Sequence, residues 1–407
     1  MSTTEQVSAI EGVRPSKQRN LARYVLILGG LSAFGPLSID MYLPALPVMT
    51  SELGTSDATL QLTLSAFIVG LAIGQIVIGP LSDAIGRRKP LVAGLAIYVV
   101  ASVLCALSPT AELLIASRAL QAVGAAAGIV IARATVRDLF SGIAMTRFFS
   151  MLMLVNGLAP ILAPIVGGQV LNFTSWRGVF VVLTVFGALL LIISALFLPE
   201  PLAVENRRPA KFKPIMRTYG GLLRDRNFVG YALASGLLFG AVFAYIAGSS
   251  FALQDVYELS PQQYSLVFGL NGIGIVAMGQ VNGRIVGRFS ERALLRFGLG
   301  LASVGAVGIL LATALHLSLA FVLPPLFLLI SSIGLIMPNA TSLAMAEHPR
   351  TAGSASALLG VLQFVVGGLA TPLVGLGGQG SAVPMAVVMT GFTVAALAAF
   401  LTLPKRR

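Results

Sequence analysis

Charged side chains are scarce in this chain of 407 residues. Asp, Glu, Lys and Arg make up 10% of it, whereas soluble globular proteins carry about 25%. Hydrophobic residues make up 56%, and the mean hydropathy is +0.91. This composition excludes an ordinary soluble domain and predicts an all-α integral membrane protein.

Cysteine and histidine are nearly absent as well. The single cysteine, Cys105, excludes an internal disulfide. Beside it stand only His316 and His348, with no metal-ligand spacing and no Ser–His–Asp set in view. The connecting segments are too short to form a receptor domain. We therefore expect no enzyme, no metal and no cofactor other than a coupling proton.

Apolar runs long enough to cross a bilayer, which takes about 20 residues, are abundant. Twelve are predicted, near 24–46, 59–81, 90–108, 111–132, 148–171, 176–198, 228–252, 262–283, 293–315, 318–342, 353–376 and 382–403. The first 22 residues are too polar for a typical secretory leader, which indicates an uncleaved tail.

The basic residues lie on one side of these spans. With the N-terminus inside, every one of the 27 Lys and Arg residues except Arg118 and Arg177 falls in or beside an inside loop or tail. This asymmetry follows the positive-inside rule and predicts that both termini are cytoplasmic. The net charge of +12 is thus a topology signal, and we expect no nucleic-acid partner.

The longest polar interruption divides the chain into two halves. We predict a six-helix bundle with an N-terminal tail over 1–198, a cytoplasmic linker over 199–227 and a second six-helix bundle over 228–407. The stretch GQIVIGPLSDAIGRRKPLVAG (74–94) is echoed weakly by GQVNGRIVGRFSERALLRFG (279–298), an echo that chance also explains. Six-helix repeats with a midplane substrate site are a transporter architecture.

Two charges lie deep in the predicted spans. Asp40, in PLSIDMYLPALP, is about 25 Å along a straight helix from the inside, and Arg118, in IASRALQAVGAAAG, is about 10 Å from the outside. Buried charges in membranes are usually paired and functional. We predict that both face one cavity, with Gln121 beside Arg118 on the same helix face. The alternative is that Arg118 extends to the outer surface.

Prolines surround Asp40. Pro44 has no N–H for the carbonyl of Asp40, and Pro36 leaves the carbonyl of Ser32 free. Unpaired carbonyls are tolerated at membrane depth only beside a cavity or other protein. The sequence therefore predicts that the first helix breaks at Asp40, next to a solvated site.

The stretch GPLSDAIGRRKP (79–90) joins the second and third spans. Its acid and basic cluster can form a charge network that holds the halves in one of two states. The alternative is a basic loop on lipid headgroups. The predicted gating-loop residues are Gly79, Asp83, Gly86, Arg87, Arg88 and, after the fourth span, Asp138.

The stretch NGLAPILAPIVGGQ (156–169) combines prolines with glycines inside the fifth span. The prolines remove helical hydrogen bonds, and the glycines remove side-chain bulk. We predict a kinked helix that packs closely on a neighbour and whose backbone can bend, although ordinary glycine-rich packing also explains the pattern. The residues are Gly157, Pro160, Pro164, Gly167 and Gly168.

Further polar and aromatic residues lie on predicted inner faces of the spans. They are pocket residues or, equally, links between helices. The candidates are Asn156, Phe239, Tyr245, Asn271 and Gln363.

Together these motifs resemble the Bcr/CflA drug-resistance transporters, a branch of the major facilitator superfamily, over nearly the whole chain. The specific stretches are PLSIDMYLPALP, LTLSAFIVGLAIGQIVIGPLSDAIGRRKP, MLMLVNGLAPILAPIVGG, YALASG and AGSASALLG. The resemblance implies twelve helices in two bundles, alternating access, and export of bicyclomycin-like, sulfonamide or phenicol compounds in exchange for protons. It further implies a monomer in the bacterial inner membrane, in contact with lipid.

The resemblance also implies roles for matching residues. Asp40 looks like the acid that couples protons and drug, and Arg118 like the coupling arginine. Two positions depart from the family pattern. In the fifth span, Pro164, Gly167 and Gly168 look like the family's antiporter motif, but Ala163 stands where that motif usually has a glycine, which weakens the antiporter assignment. In the first span, Ser32 stands where some relatives have a second acid. A proton-coupled exporter or importer of a small metabolite on the same fold is the alternative.

Overall fold

The computed structural model describes residues 15–140, 142–207, 212–346, 348, 352–376 and 380–402. This part of the chain is helical, with one isolated β-bridge between Val286 and Phe289 and no strand. The start of the predicted tail (1–14), part of the linker (208–211) and the C-terminal end (403–407) lie outside the described residues. The predicted all-α fold is confirmed.

The first half comprises α1 (Pro15–Asp40), α2 (Leu46–Glu52), α3 (Asp57–Ile85), α4 (Arg88–Leu107), α5 (Ala111–Leu139), α6 (Gly142–Val170) and α7 (Trp176–Phe197). The short helix α8 (Phe212–Leu222) lies in the linker. The second half comprises α9 (Arg226–Phe251), α10 (Pro261–Ile285), α11 (Glu291–Ala314), α12 (Leu319–Met345), α13 (Ala352–Gly375) and α14 (Val383–Leu401).

These helices account for the predicted spans. Among the described residues, eleven helical segments are long and apolar enough to cross a membrane, the first of them formed by α1 and α2 together. The remaining predicted span is α6, whose apolar part is the shorter stretch Leu154–Val170.

Local sequence signals explain where several helices begin. The side chains of Ser56 and Thr110 accept hydrogen bonds from backbone N–H groups in the first turn of α3 and α5. Asp225 does the same for α9, and Ser260 forms a capping box with Gln263 at the start of α10. Each of these polar residues directly precedes the first residue of its helix, so the caps mark where these helices begin.

The two halves meet along two seams. In one seam α3 packs on α13, and in the other α6 packs on α10. The second seam is tight: a Cβ on Gly272 of α10 would lie 2.5 Å from Cγ1 of Ile161. Glycine at this position allows the close approach of the two helices.

The two ends of the bundle differ in charge. We call the end where α3, α5 and α10 terminate the basic face, because its connections carry most of the Lys and Arg residues. The acidic face is the other end. Its charged residues in the described chain are Glu52, Asp57, Glu112, Arg177, Asp255 and Glu258.

The linker differs in one respect from the sequence interpretation, which gave it no helix. Residues Phe212–Leu222 form α8. Met216, Tyr219 and Leu222 recur every three residues, so one face of α8 is apolar. Leu222 is buried, and the other two border the central cavity at the basic face.

Candidate functional site

A cavity of about 990 Å³ lies between the two halves. Residues from α1, α3, α5, α6, α8, α9, α10, α12 and α13 line it. It extends from Asp40 near its deep end to Asp83, Arg137, Thr341 and Ser356 near the basic-face ends of their helices. The cavity therefore opens toward the basic face.

Hydrogen bonds between the halves close the opposite end. The Ser250 hydroxyl donates to the carbonyl of Leu43 at 2.5 Å, and the Gln61 amide donates to the carbonyl of Ala247 at 3.2 Å. Gln262 of α10 donates to the carbonyl of Gly168 in α6 at 2.9 Å. The structure thus shows one conformation of a protein whose central cavity is open to a single face.

Asp40 is the last residue of α1, and its side chain reaches this cavity. The residue is 5% exposed and forms part of the cavity lining. Among the described residues, no hydrogen bond or ion pair engages its carboxyl group. A substrate or a proton that enters the cavity can therefore reach the carboxyl group without displacing a protein partner.

Helix α1 ends directly after Asp40, as the prolines predict. Met41 and Tyr42 form a turn, Leu43–Ala45 form one turn of 3-10 helix, and α2 follows. The N–H that would continue the helix to the carbonyl of Asp40 is missing at Pro44. The carboxyl group consequently lies at a helix terminus beside the cavity.

Arg118 lies outside the cavity, contrary to the sequence expectation. It is fully buried within the first half, and neither Arg118 nor Gln121 lines the cavity. The guanidinium donates to Oε1 of Gln121 at 2.6 Å and to the carbonyl of Ser38 at 2.8 Å. The alternative of an arginine reaching the surface is also wrong. The bond to Ser38 places Arg118 at the depth of Asp40 but on the far side of α1.

Aromatic rings complete the surroundings of Arg118. Its guanidinium carbon is 4.5 Å from the ring centre of Tyr42 and 4.3 Å from that of Phe67, within cation–π range. These contacts, together with the two acceptors, explain how a cation is held inside the bundle. The prediction of one shared cavity is wrong for Arg118 because partners inside the first half already occupy its side chain.

The network around Arg118 continues through α4. The amide of Gln121 donates to the hydroxyl of Ser102 at 2.8 Å, and the hydroxyls of Ser38 and Tyr98 are 2.7 Å apart. The carbonyl of Ser38 sits in the last turn of α1, where backbone acceptors lack helical donors. Arg118 therefore stabilises the end of α1 from which Asp40 projects.

The other predicted pocket residues line the cavity with Asp40. They are Asn156 of α6, Phe239 and Tyr245 of α9, Asn271 of α10 and Gln363 of α13. Two are also linked to each other, because the amide of Asn271 donates to the hydroxyl of Tyr245 at 2.9 Å. The two alternatives left open, pocket or interhelical link, thus both hold for this pair.

The second half contributes an aromatic wall. The ring of Phe239 lies 5.0 Å from that of Phe243 and 5.7 Å from that of Phe364. The rings of Tyr245 and Phe268 stack at 5.3 Å. The first half supplies Asp40 and the amides of Gln75 and Asn156 to the same cavity. The cavity thus suits a small molecule with an aromatic or apolar body and a few polar groups.

Several residues that line the cavity were not predicted from the sequence. They are Gln75, Arg133, Arg137, Phe243 and Phe364. Spacing would have found some of them, since Phe243 is four residues after Phe239, and Arg137 is four after Arg133, on one helix face. Nothing in the sequence indicated which face of α3 carries Gln75 into the cavity.

The predicted gating loop forms a charge network inside the first half. Arg87 is 6% exposed and donates to Asp83 at 2.5 Å and to Asp138 at 2.8 Å. Burial lowers the pKa of Arg87, but the hydrogen bonds to Asp138 and Asp83 outweigh it and raise the pKa overall. In this conformation the network connects α3 to α5 within the first half. It does not bridge the two halves, because the open cavity separates their basic-face ends.

The rest of this loop is anchored to the end of α7. The carboxylate of Glu200, which the sequence did not indicate, accepts from the backbone N–H of Arg87 at 2.7 Å and of Arg88 at 3.1 Å. Gly86 has φ of +99°, and a Cβ there would lie 2.6 Å from the Glu200 carboxylate. The side chain of Arg88 donates to the carbonyl of Ala195 at 2.6 Å, and Gly79 lines the cavity.

The glycines of the α6 motif face three neighbours. A Cβ on Gly167 would clash with the carbonyl of Met41, directly after Asp40. A Cβ on Gly168 would lie 2.6 Å from the Ser265 hydroxyl of α10, and Gly157 faces Val276 of the same helix. Pro160 lines the cavity, and Pro164 is buried. Helix α6 is continuous through both prolines and packs between the break in α1 and the second half.

Comparison with known proteins agrees with this architecture. A family described as the Major Facilitator Superfamily matches residues 28–372. Among solved structures, a D-xylose-proton symporter superposes with a TM-score of 0.74 at 13% identity, covering 94% of this chain and 97% of its own. At that identity the likeness concerns the fold alone.

Sequence relatives are closer. The uncharacterized MFS-type transporter YdgK of Bacillus subtilis is 42% identical over 97% of this chain and 98% of its own length. A bicyclomycin resistance protein homolog of Haemophilus influenzae is 28% identical, covering 96% of this chain and 98% of its own. A chloramphenicol resistance protein of Pseudomonas aeruginosa is 31% identical, covering 90% and 87%.

Proposed function

This chain belongs to the major facilitator superfamily, whose members are transporters rather than enzymes, and from that premise we propose that it exports small drugs in exchange for protons by alternating access. The relatives associated with bicyclomycin and chloramphenicol resistance support the drug class. The observation that carries the proposal is the carboxyl group of Asp40, which projects into the central cavity with no protein partner among the described residues.

The proposed cycle uses Asp40 for both substrate and proton. Substrate enters the cavity, binds beside the aromatic wall and Asp40, and displaces the proton of Asp40 into the cytoplasm. The halves then rock about the central site and open the acidic face. After substrate leaves, Asp40 takes a proton from outside, and the protonated carrier returns. One proton thus moves inward for each substrate that moves outward.

We further propose that the basic face is cytoplasmic and that the protein works as a monomer in the bacterial inner membrane, with only lipids, protons and substrate as partners. The distribution of Lys and Arg supports this orientation. In that orientation the conformation described above is open to the cytoplasm, which is the side from which an exporter loads its substrate.

Arg118 acts in this scheme as a positioning residue. It holds the last turn of α1 through the carbonyl of Ser38 and so fixes the direction in which Asp40 projects. Gly167 contributes from the other side, because its missing side chain lets α6 approach the turn at Met41.

Everted membrane vesicles test the proposal. Respiration acidifies their interior, and addition of chloramphenicol or bicyclomycin should release protons from vesicles that contain the wild-type protein. Asp40→Asn should abolish this release, whereas Glu112→Gln, which changes an acid at the far end of α5, should preserve it. Proton release caused only by a metabolite would favour the alternative substrate class. Drug movement in the same direction as protons would refute export by exchange.

A further inference from the structure

A second, much smaller pocket lies at the acidic face, between the halves and apart from the central cavity. Its volume is about 30 Å³. The first half contributes Asp57 and Gln61 from the start of α3, and the second half contributes Asp255, Gly375 and Ser381 among others. We propose that this pocket binds one small cation, a metal ion or a proton, and that the bound cation holds the acidic face closed.

The charge of the pocket favours a cation. Two carboxylates, Asp57 and Asp255, face it from opposite halves, and no Lys, Arg or His belongs to its described lining. Asp57 is partly buried and Asp255 is exposed. Like charges repel when the halves bring them together, so closing this end without a cation is opposed by electrostatics.

Gln61 is an independent indication of a ligand. The residue is 2% exposed, and its amide N–H₂ group donates to the carbonyl of Ala247 across the seam. Its Oε1 atom is buried and has no hydrogen-bond partner among the described residues. A buried acceptor without a donor is unfavourable, whereas an amide oxygen beside carboxylates is the kind of oxygen ligand that hard cations take.

The local backbone and the size of the pocket fit a single ion. Asp255 lies in a π-helical turn, Ala252–Val256, and such turns recur at functional sites. A cavity of about 30 Å³ exceeds the roughly 10–15 Å³ that one water molecule requires. It therefore has room for a small cation and excludes a drug molecule.

The position of the pocket couples occupancy to conformation. Asp57 and Gln61 move with α3, whereas Asp255 and Gly375 move with α9 and α13. The full set of ligands is together only when the acidic face is closed. A ligand that binds only this state increases its population. A cation on the acidic-face side therefore favours the conformation open to the basic face, whether or not drug transport uses Asp40.

Distance measurements on the full-length protein test the proposal without drug or proton gradient. In a Cys105→Ala background, Phe173→Cys and Leu315→Cys place spin labels on the acidic face of each half, at exposed positions. Double electron–electron resonance then reports the open and closed populations of this face. Na⁺, Mg²⁺ and Ca²⁺ are titrated at fixed alkaline pH, and in a separate arm the pH is lowered without metal.

We expect at least one metal ion, or acidification, to raise the closed-to-open ratio by about tenfold, within the usual range of coupling between sites. The metal arm and the pH arm distinguish an ion from a proton, and Asp57 and Asp255 are the titratable groups that face the pocket. Asp255→Asn and Asp57→Asn should each abolish most of the response. Glu258→Gln, an exposed acid nearby in the same connection, should leave it intact.

Two results would overturn the proposal. One is a wild-type distance distribution that responds to none of the cations and not to pH, because the pocket then holds water only. The other is a response of equal size in the wild type and in both aspartate variants, because the cation then acts elsewhere.

Discussion

Replacing Arg118 with methionine should destabilise the protein in the absence of any substrate. The substitution keeps most of the side-chain length but leaves Oε1 of Gln121 and the carbonyl of Ser38 without their donors. A buried acceptor left unsatisfied costs about 1–3 kcal/mol. Loss of the contacts with Tyr42 and Phe67 adds roughly 0.5–2 kcal/mol. Removal of a buried charge offsets part of this, so we expect a net loss of about 2–4 kcal/mol.

Equilibrium unfolding of the purified protein in detergent, without drug, measures this loss. Arg296→Met is the matched control, because Arg296 is an exposed arginine on α11 and its replacement should change stability by less than about 0.5 kcal/mol. A double-mutant cycle with Asp40→Asn distinguishes a positioning role of Arg118 from a direct ion pair with Asp40. If Arg118 only positions the end of α1, the coupling energy between the two substitutions should be below about 0.5 kcal/mol.

Two outcomes would refute this reasoning. If Arg118→Met were as stable as the Arg296→Met control, the buried network would not hold the end of α1. If Asp40→Asn restored the stability lost in Arg118→Met, the two side chains would form a direct ion pair, and the separation of Arg118 from the cavity would be wrong.

Three further variants test other parts of the structure. Gly167→Ala should disturb the turn after Asp40 and reduce drug transport, and overpacking should destabilise the protein by about 1–3 kcal/mol. Gly391→Ala is the control, because a Cβ at that position meets nothing within 4 Å. It should be neutral or slightly stabilising in the same transport and unfolding assays. Asp138→Asn should weaken the hold on Arg87, seen as faster hydrogen exchange in the loop at residues 86–90. Gly86→Ala should increase that exchange too, because a residue with a side chain rarely adopts φ of +99°, and unchanged exchange would contradict both expectations.

Rules that act within a few residues predicted the fold and the break at Asp40. Apolar runs of spanning length located the membrane helices, and the missing N–H of Pro44 located the end of α1. The depth of Arg118 also followed from counting residues along the helix, and the bond to Ser38 agrees with it. These predictions succeeded because each depends on backbone chemistry or on helix rise alone.

The wrong or missing predictions concern the direction in which a side chain points and the distant residues that it meets. Arg118 was expected in the cavity, but the rotation of α5 against α1 and α3 directs it into the first half. That rotation depends on close contacts such as Gly124 against the backbone of Tyr98, which a single sequence does not reveal. Glu200 was missed for a similar reason, since its partners lie more than 100 residues earlier in the chain.

The central claim is that substrate and proton compete for Asp40. Isothermal titration calorimetry of chloramphenicol binding to the purified protein measures the binding heat. Repeating it in buffers of different ionisation enthalpy gives the number of protons released on binding. At an acidic pH we expect release of about one proton per drug molecule from the wild type and none from Asp40→Asn. Equal proton release from both proteins, or tight binding without release in the wild type at any pH, would contradict it.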